Sequence, residues 1–311
     1  MVAPRYHDPV LEDVATGYLI TDISGIYVDC TLGGSGHALR IFKRLSPTGR
    51  LVGIDMDADA LEHAKIRLKN YSDRLILIRG NFGDLEMLLN RHGIQKVNGI
   101  LADLGLSSHQ IDSEARGFSH QSSGPLDMRM DQSTDLRAEE IINTYSEDAL
   151  YDIFKRYGEE RYSRNIARRI IREREKHAIE TTSQLADIIT AVVPYKQEIK
   201  AKSRIFQSLR VFLNSEMRNL ERLLEQSLRV IKKNGRLVTI AYQSQEDSRI
   251  KQFMKYQEKS CVCPPDFPVC VCDKKSTLKI LTRRAIVPTE EEIESNSRSK
   301  SARLRAAEII Q

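Results

Sequence analysis

The chain has 311 residues, 41% hydrophobic and 29% charged, with no Trp, a net charge of +5 and a pI near 8.9. This is the composition of an ordinary globular protein, long enough for one large or two medium domains with a full core. No apolar run approaches the ~20 residues a bilayer span requires, no charged-then-apolar opening segment argues for export, and scarce aromatics argue against a sugar or peptide groove. A cytoplasmic protein without a membrane partner is expected.

Tyr6 to Leu11 is an extended lead-in, because Pro9 disfavours helix before it, and Val10 to Tyr18 reads as a short helix. His7 reads as a surface histidine. Ile26, Tyr27 and Val28 end a buried strand, and the run from Asp29 to His37 turns tightly. Ala38, Leu39, Ile41 and Phe42 then open a helix. Strand, glycine turn and helix let backbone N–H groups approach a nucleotide-like cofactor. The candidates there are Gly34, Ser35, Gly36 and His37. A second strand, Leu51 to Ile54, delivers Asp55, a carboxylate able to accept both ribose hydroxyls of such a cofactor. A helix follows through Leu68, its apolar stripe made by Ala60, Leu61, Ala64 and Leu68. Leu75 to Arg79 is a third strand, followed by Phe82, placed to stack on a base or to pack in the core. Leu85 to His92 is a helix, and the strand Val97 to Ala102 delivers Asp103.

The order β-α-β-α-β-α-β predicts an α/β, doubly wound parallel sheet with its site along the strands' C-terminal ends. The pattern then changes. Polar, turn-rich sequence from Asp103 to Met130 leads into helices at Ala138–Asn143, Glu147–Tyr157, Tyr162–His177, Thr182–Val192 and Ser203–Arg222. A helix over Glu221–Lys233 precedes a strand at Arg236–Ala241. Gln243 to Asp247 reads as a loop, Ile250 to Tyr256 as a helix, and Leu278 to Leu281 as the last strand. The expected domains are a sheet core, first part, over 1–112; a helical insertion over 113–214, expected to face the cofactor site; the core's second part over 215–286; and a basic polar tail over 287–311.

Positive charge is concentrated in that insertion and tail. Arg161, Arg164, Arg168, Arg169, Arg172 and Arg174 share one helix, and Lys196, Lys200, Lys202, Arg204 and Arg210 cluster around the next long one. This asymmetry suits phosphate contacts and points to a nucleic-acid partner. The cysteine pairs Cys261-Val-Cys263 and Cys270-Val-Cys272 have a spacing able to ligate zinc. The competing reading is a proline-pinned loop whose thiols pack together, and no metal is expected.

Several motifs carry a resemblance: Asp103-Leu-Gly-Leu-Ser-Ser108, Arg116-Gly-Phe118, Gly124-Pro-Leu-Asp-Met-Arg-Met130, Tyr157-Gly-Glu-Glu-Arg161, Phe206-Gln-Ser-Leu-Arg210 with Asn214, and Asn296 to Arg305. From Tyr6 to the tail the chain resembles the bacterial family that methylates a cytosine N4 in small-subunit ribosomal RNA. The resemblance implies a class I (Rossmann-like) fold binding S-adenosylmethionine, an insertion that meets RNA, and the small subunit with its 16S rRNA as partner. It places cofactor contacts at Ser35, Gly36, His37, Asp55, Phe82, Asp103 and Gln110. The cysteine segment is not a recognised metal site in that family. Asp103 is the candidate catalytic group. Asp127, Arg129, Arg204, Arg210, Asn214 and Gln243 are candidates for substrate contact.

The chain departs from the family pattern at Ser35, which replaces a usual glycine; at Ala201-Lys-Ser203-Arg204, which lacks a His-Pro-Ala; and at Gln243, which stands where a histidine is usual. Gln243 keeps hydrogen-bonding capacity but cannot titrate, so a positioning role is expected of it. Two other functions fit parts of the pattern. A nicotinamide-dependent oxidoreductase would use Gly34, Gly36 and Asp55, but Leu39 stands where a small residue is needed. A non-catalytic RNA-binding or ribosome-assembly protein would explain the altered loop at 241–248. Monomer and homodimer both remain open.

Overall fold

A computed structural model describes residues 9–264, 269 and 271–311. Tyr6, His7 and Cys270 lie outside the described residues. The chain divides into two compact units, one of Met1–Gly105 with Arg218–Gln311 and one of Leu106–Met217.

The first unit alternates strand and helix: α1 (Glu12–Leu19), β1 (Ile26–Asp29), α2 (Gly36–Arg44), β2 (Arg50–Asp55), α3 (Ala58–Arg67), β3 (Leu75–Arg79), α4 (Leu85–Arg91) and β4 (Val97–Asp103). The second unit contributes α5 (Ser108–Asp112), α6 (Ala138–Thr144), α7 (Glu147–Gly158), α8 (Ser163–Arg174), α9 (Thr182–Thr190) and α10 (Glu198–Leu213). The chain continues with α11 (Glu216–Val230), β5 (Ile231–Ala241), α12 (Ser244–Glu258), β6 (Leu278–Ile280), α13 (Glu290–Ser295) and β7 (Arg303–Ile309).

The strands form one sheet in the order β3-β2-β1-β4-β5-β7-β6. β1 to β5 are parallel neighbours, and β7 runs antiparallel to both β5 and β6. Consecutive strand residues feed opposite faces. Val28, Val52 and Ile100 enter one core, while Tyr27, Leu51 and Leu101 enter the other. Both faces are thus covered, which is why these strands read as continuous apolar runs. The strand order reverses at β1, between β2 and β4, and in open α/β sheets the crevice outside such a reversal is where ligands bind.

The second unit has its own core, in which Leu150, Phe154, Ile166, Ile170, Leu185 and Leu209 are fully buried. Gly117 (φ 68°) lies against the Pro125 carbonyl so closely that a Cβ there would fall 2.0 Å from its oxygen. Only glycine fits that crossing.

Three expectations are corrected. The single helix expected over 203–222 is two: α10 ends at Leu213, Asn214 caps it, and Ser215 takes the left-handed conformation (φ 52°) before α11. The loop expected over 243–247 is the first turn of α12, where Glu246 Oε2 accepts the N–H groups of Tyr242 and Gln243 at 3.1 and 3.0 Å. The basic polar tail also holds a strand, β7, seated in the sheet. Its alternation is hidden because one inward residue is charged. Arg305 is buried and donates to Asp247 through Nε (2.6 Å) and Nη2 (3.1 Å).

Breaking such a buried pair by removing one partner leaves an uncompensated charge and costs about 3–5 kcal/mol. Arg305→Met is therefore expected to lower the urea midpoint by that equivalent at unchanged slope. Asp247→Asn combined with it should recover part of the loss.

Candidate active site

The C-terminal ends of β1, β2 and β4 each deliver a carboxylate. Asp55 ends β2. Its Oδ2 accepts the Gly33 N–H at 2.8 Å and its Oδ1 accepts the Asp57 N–H at 2.9 Å. Burial raises its pKa to about 6, against those two hydrogen bonds. Each carboxylate oxygen offers two acceptor sites, so Asp55 shapes the glycine turn and keeps capacity for a diol.

Gly33 (φ 42°) and Ser35 (φ 60°) are both left-handed, so the serine that replaces the family's glycine sits where glycine is favoured. Gly36 opens α2 against Pro9, and a Cβ there would come within 2.8 Å of the proline ring. His37, in the first turn of α2, places Nε2 3.3 Å from Asp103 Oδ2. Burial disfavours its charged form, but the Asp103 hydrogen bond and the charges of Asp103, Asp29 and Glu12 outweigh it and raise the pKa. Asp103 is further fixed by its own N–H, which donates to Thr31 Oγ1 at 2.7 Å.

Two more groups join this cluster without having been singled out as site residues from the sequence. Asp29 is 1% exposed, and burial raises its pKa to about 6. Tyr242, just beyond β5, has a buried hydroxyl pushed well above its ordinary value by burial and by Asp103. Asp29 was legible in principle as an acid ending β1 before a glycine turn. Tyr242 carried no such signal.

Among the described residues, Ser35 Oγ, Asp29 Oδ2 and His37 Nδ1 are buried polar atoms without a hydrogen-bond partner. Native proteins seldom leave buried polar atoms unsatisfied. A ligand rich in hydroxyl, amino and carboxylate groups fits this cradle. Phe82 packs partly buried on the sheet core beyond β3.

The raised pKa of Asp29 has a consequence for stability. The folded state holds this proton more tightly than the unfolded chain does, so stability falls as pH rises from about 4 to about 6 and is level above that. Asp29→Asn removes the loss while keeping an acceptor for the Thr31 N–H (3.2 Å in the native protein). It is expected to stabilise the cofactor-free protein at pH 7, by about 3 kcal/mol, and to give much less at pH 4. Thermal denaturation at the two pH values checks this.

The remaining candidates lie mostly in the second unit, where their side chains are engaged. Gln110 Oε1 accepts the Ser107 N–H at 3.1 Å and closes a capping box on α5. Arg129 donates to both oxygens of Asp127 at 2.8 and 2.7 Å. Burial pushes Asp127 up, but these bonds hold its carboxyl below the usual range. Asn214 accepts the Met130 N–H (2.8 Å) and donates to the Met128 carbonyl (2.9 Å). Arg116 donates to the carbonyls of Arg129 and Met130, both at 3.0 Å. The run from Gly124 to Met130 is thus a loop fixed from several sides. Arg210 forms a forked pair with Glu216 at 2.7 and 3.1 Å. Arg204 lies half-exposed, 3.5 Å from Glu160. Gln243, in the first unit, caps α12.

The fold is a doubly wound sheet, and the cradle at the C-terminal ends of β1, β2 and β4 fits a nucleoside cofactor beside a buried carboxylate. The sequence pattern described as the MraW methylase family matches residues 5–310. A ribosomal RNA small subunit methyltransferase H from Desulfosudis oleivorans is 45% identical over 98% of this chain and 99% of its own length. A protein of the same name from Carboxydothermus hydrogenoformans is 46% identical over 98% of each. Among solved structures, a putative rRNA methylase from Clostridium thermocellum aligns over 96% of this chain and 95% of its own at 10% identity and a TM-score of 0.43.

The chain belongs to the MraW methylase family. It is a methyltransferase of the class I fold, with S-adenosylmethionine as methyl donor. The oxidoreductase reading is set aside. Among the described residues, no helix is long and apolar enough to cross a membrane.

Proposed function

We propose that the chain methylates the exocyclic N4 of a cytosine in small-subunit ribosomal RNA, at the decoding-region position 1402. The observation that carries the choice of atom is a buried carboxylate, Asp103, paired with His37 beside the cofactor cradle, on a backbone anchored by the Asp103 N–H donating to Thr31 Oγ1. The choice of polymer is supported by the relatives' printed names and by near-complete coverage of both chains.

S-adenosylmethionine brings a methyl group already activated on sulfonium, so the difficulty lies in the nucleophile. The cytosine N4 lone pair is delocalised into the ring. Asp103 accepts one N4 N–H, favours the pyramidal amine and takes the proton lost after transfer. His37 orients the carboxylate through Oδ2. Asp55 holds the ribose diol, and Ser35, Gly36 and His37 form the cradle for the cofactor's polar end. Phe82 covers the adenine.

Methylation at C5 would instead require a thiolate to add to the ring. Cys30, which follows Asp29 directly, is buried, and its thiol is pushed well above the ordinary range by burial and by Asp29. Such a thiol is not a nucleophile at neutral pH. That favours the amine.

The second unit supports an RNA partner through an exposed turn. Tyr195 is 87% exposed and Ile199 72% exposed, flanked by the exposed Lys196 and Lys200. An exposed aromatic among cations suits stacking on an unpaired base with phosphates alongside. The target base must leave its stack to reach a buried carboxylate, which suits irregular RNA. A cytoplasmic enzyme acting during or after subunit assembly follows from this reading.

Labelled methyl transfer to unmethylated small subunits, naked small-subunit RNA and DNA, run in parallel, tests the polymer. The expected result is incorporation into small-subunit RNA and none into DNA. Cofactor binding with transfer to DNA and to no RNA would overturn this reading.

A further inference from the structure

Between α12 and β6 the chain makes a loop that the methyl-transfer chemistry does not use. There the ligand atoms of Cys261, Cys263 and Cys272 all lie within 4.8 Å of one another. The sulfurs of Cys261 and Cys272 are 3.8 Å apart. Two sulfurs bound at about 2.3 Å to one tetrahedral zinc are separated by about 3.8 Å. A disulfide would bring them to about 2.05 Å.

Each of the three sulfurs also accepts a backbone N–H. Cys263 N donates to Cys261 Sγ, Val271 N to Cys263 Sγ and Val262 N to Cys272 Sγ, each at 3.4 Å. N–H donors aimed at sulfur favour thiolates, which are the form that binds metal.

Apolar packing does not account for the gathering. The valines interleaved with the cysteines face outward, with Val262 41%, Val269 69% and Val271 68% exposed. Cys261 is itself exposed and Cys263 and Cys272 are half-buried. Three sulfurs converge at the surface while their apolar neighbours stay in water. A soft cation at their centre explains this, and apolar burial does not.

We propose that Cys261, Cys263 and Cys272 form a structural zinc site that clips the loop between α12 and β6. Three thiolates and a near-tetrahedral S···S edge select zinc over harder divalent cations. Cys270 lies outside the described residues, and the site is drawn without it. A structural site needs a fourth donor, which metal spectroscopy will define. The metal's role is to hold the three cysteines together, so its removal should loosen the chain at Cys261–Cys263 and at Cys272 and leave the sheet intact.

The test uses the full-length protein, purified without a metal-binding tag under reducing conditions. Elemental analysis is expected to find one zinc per chain, released by a thiol-modifying reagent. Cys261→Ser and Cys272→Ser should each lose it, while Cys30→Ala, at a thiol outside the loop, should keep it. Should the serine variants fail to fold, cobalt(II) exchanged into the native chain gives an independent readout. Thiolate-to-cobalt charge transfer with intense tetrahedral d–d bands would support the site. Limited proteolysis after chelation should cut first near Cys261–Cys263 or Cys272. A metal-free chain without cobalt bands would overturn the proposal. So would a native mass two hydrogens low, marking a disulfide, or bound iron in place of zinc.

Discussion

Asp103→Asn is expected to lower the methyl-transfer rate constant about 10²–10⁴-fold, the range for removing a positioned acid–base group. The cofactor's dissociation constant should change far less. The asparagine keeps the shape but loses the charge that the amine must meet and the base that takes its proton. It also leaves His37 facing an amide at the 3.3 Å contact, so the His37 pKa should fall. Single-turnover transfer gives the rate, and titration with S-adenosylmethionine gives the affinity. A large loss of affinity with the rate constant intact would make Asp103 a cofactor ligand and nothing more.

Asp55→Ala should act in the opposite sense, on binding. The carboxylate accepts two backbone N–H groups that fix the turn, and in the proposed complex it accepts the ribose diol as well. Hydrogen bonds to a charged group contribute about 1.5–3 kcal/mol each. Loss of two on the cofactor side weakens binding about 10²–10⁴-fold, at about 1.4 kcal/mol per tenfold. The effect carries a pH signature. The Asp55 pKa is raised to about 6 by burial, so native affinity should be level above pH 6 and fall below it as the carboxylate gains its proton and loses acceptor capacity. The Asp55→Ala variant, already weak, should lose that share of the pH dependence. Calorimetric titration across pH 5–8 measures both effects.

The first four strands were legible because β1 to β4 pack apolar side chains on both faces and read as short apolar runs ended by polar or glycine-bearing turns. Asp55 and Asp103 were legible for the same reason, since each is the first charge after such a run. β7 was not, because its inward Arg305 is balanced by Asp247, a partner 58 positions away that no local pattern reveals. The first turn of α12 was hidden likewise. Glu246 and Asp247 read as loop polarity, yet both are buried, one as a cap and the other as an ion partner. Tyr242 was invisible because a tyrosine after a strand is ordinary, and only the fold sets it beside Asp103.

The run Gly124-Pro-Leu-Asp-Met-Arg-Met130 shows the limit from the other side. Its specificity was clear from sequence, but its physical reason was not. Asp127 and Arg129 read as candidates for substrate contact. The structure pairs them with each other and secures the loop through Arg116 and Asn214. Any substrate contact they make is made from side chains already held in place.

The most direct measurement is the identity of the methylated nucleoside. Small-subunit RNA methylated by the purified protein is digested and resolved by chromatography with tandem mass spectrometry, against N4-, C5- and 2′-O-methylcytidine standards of equal mass. N4-methylcytidine at a single site, absent with Asp103→Asn, is the expected product. 5-Methylcytidine or 2′-O-methylcytidine would contradict the proposed function, because neither product arises from an amine held by a carboxylate.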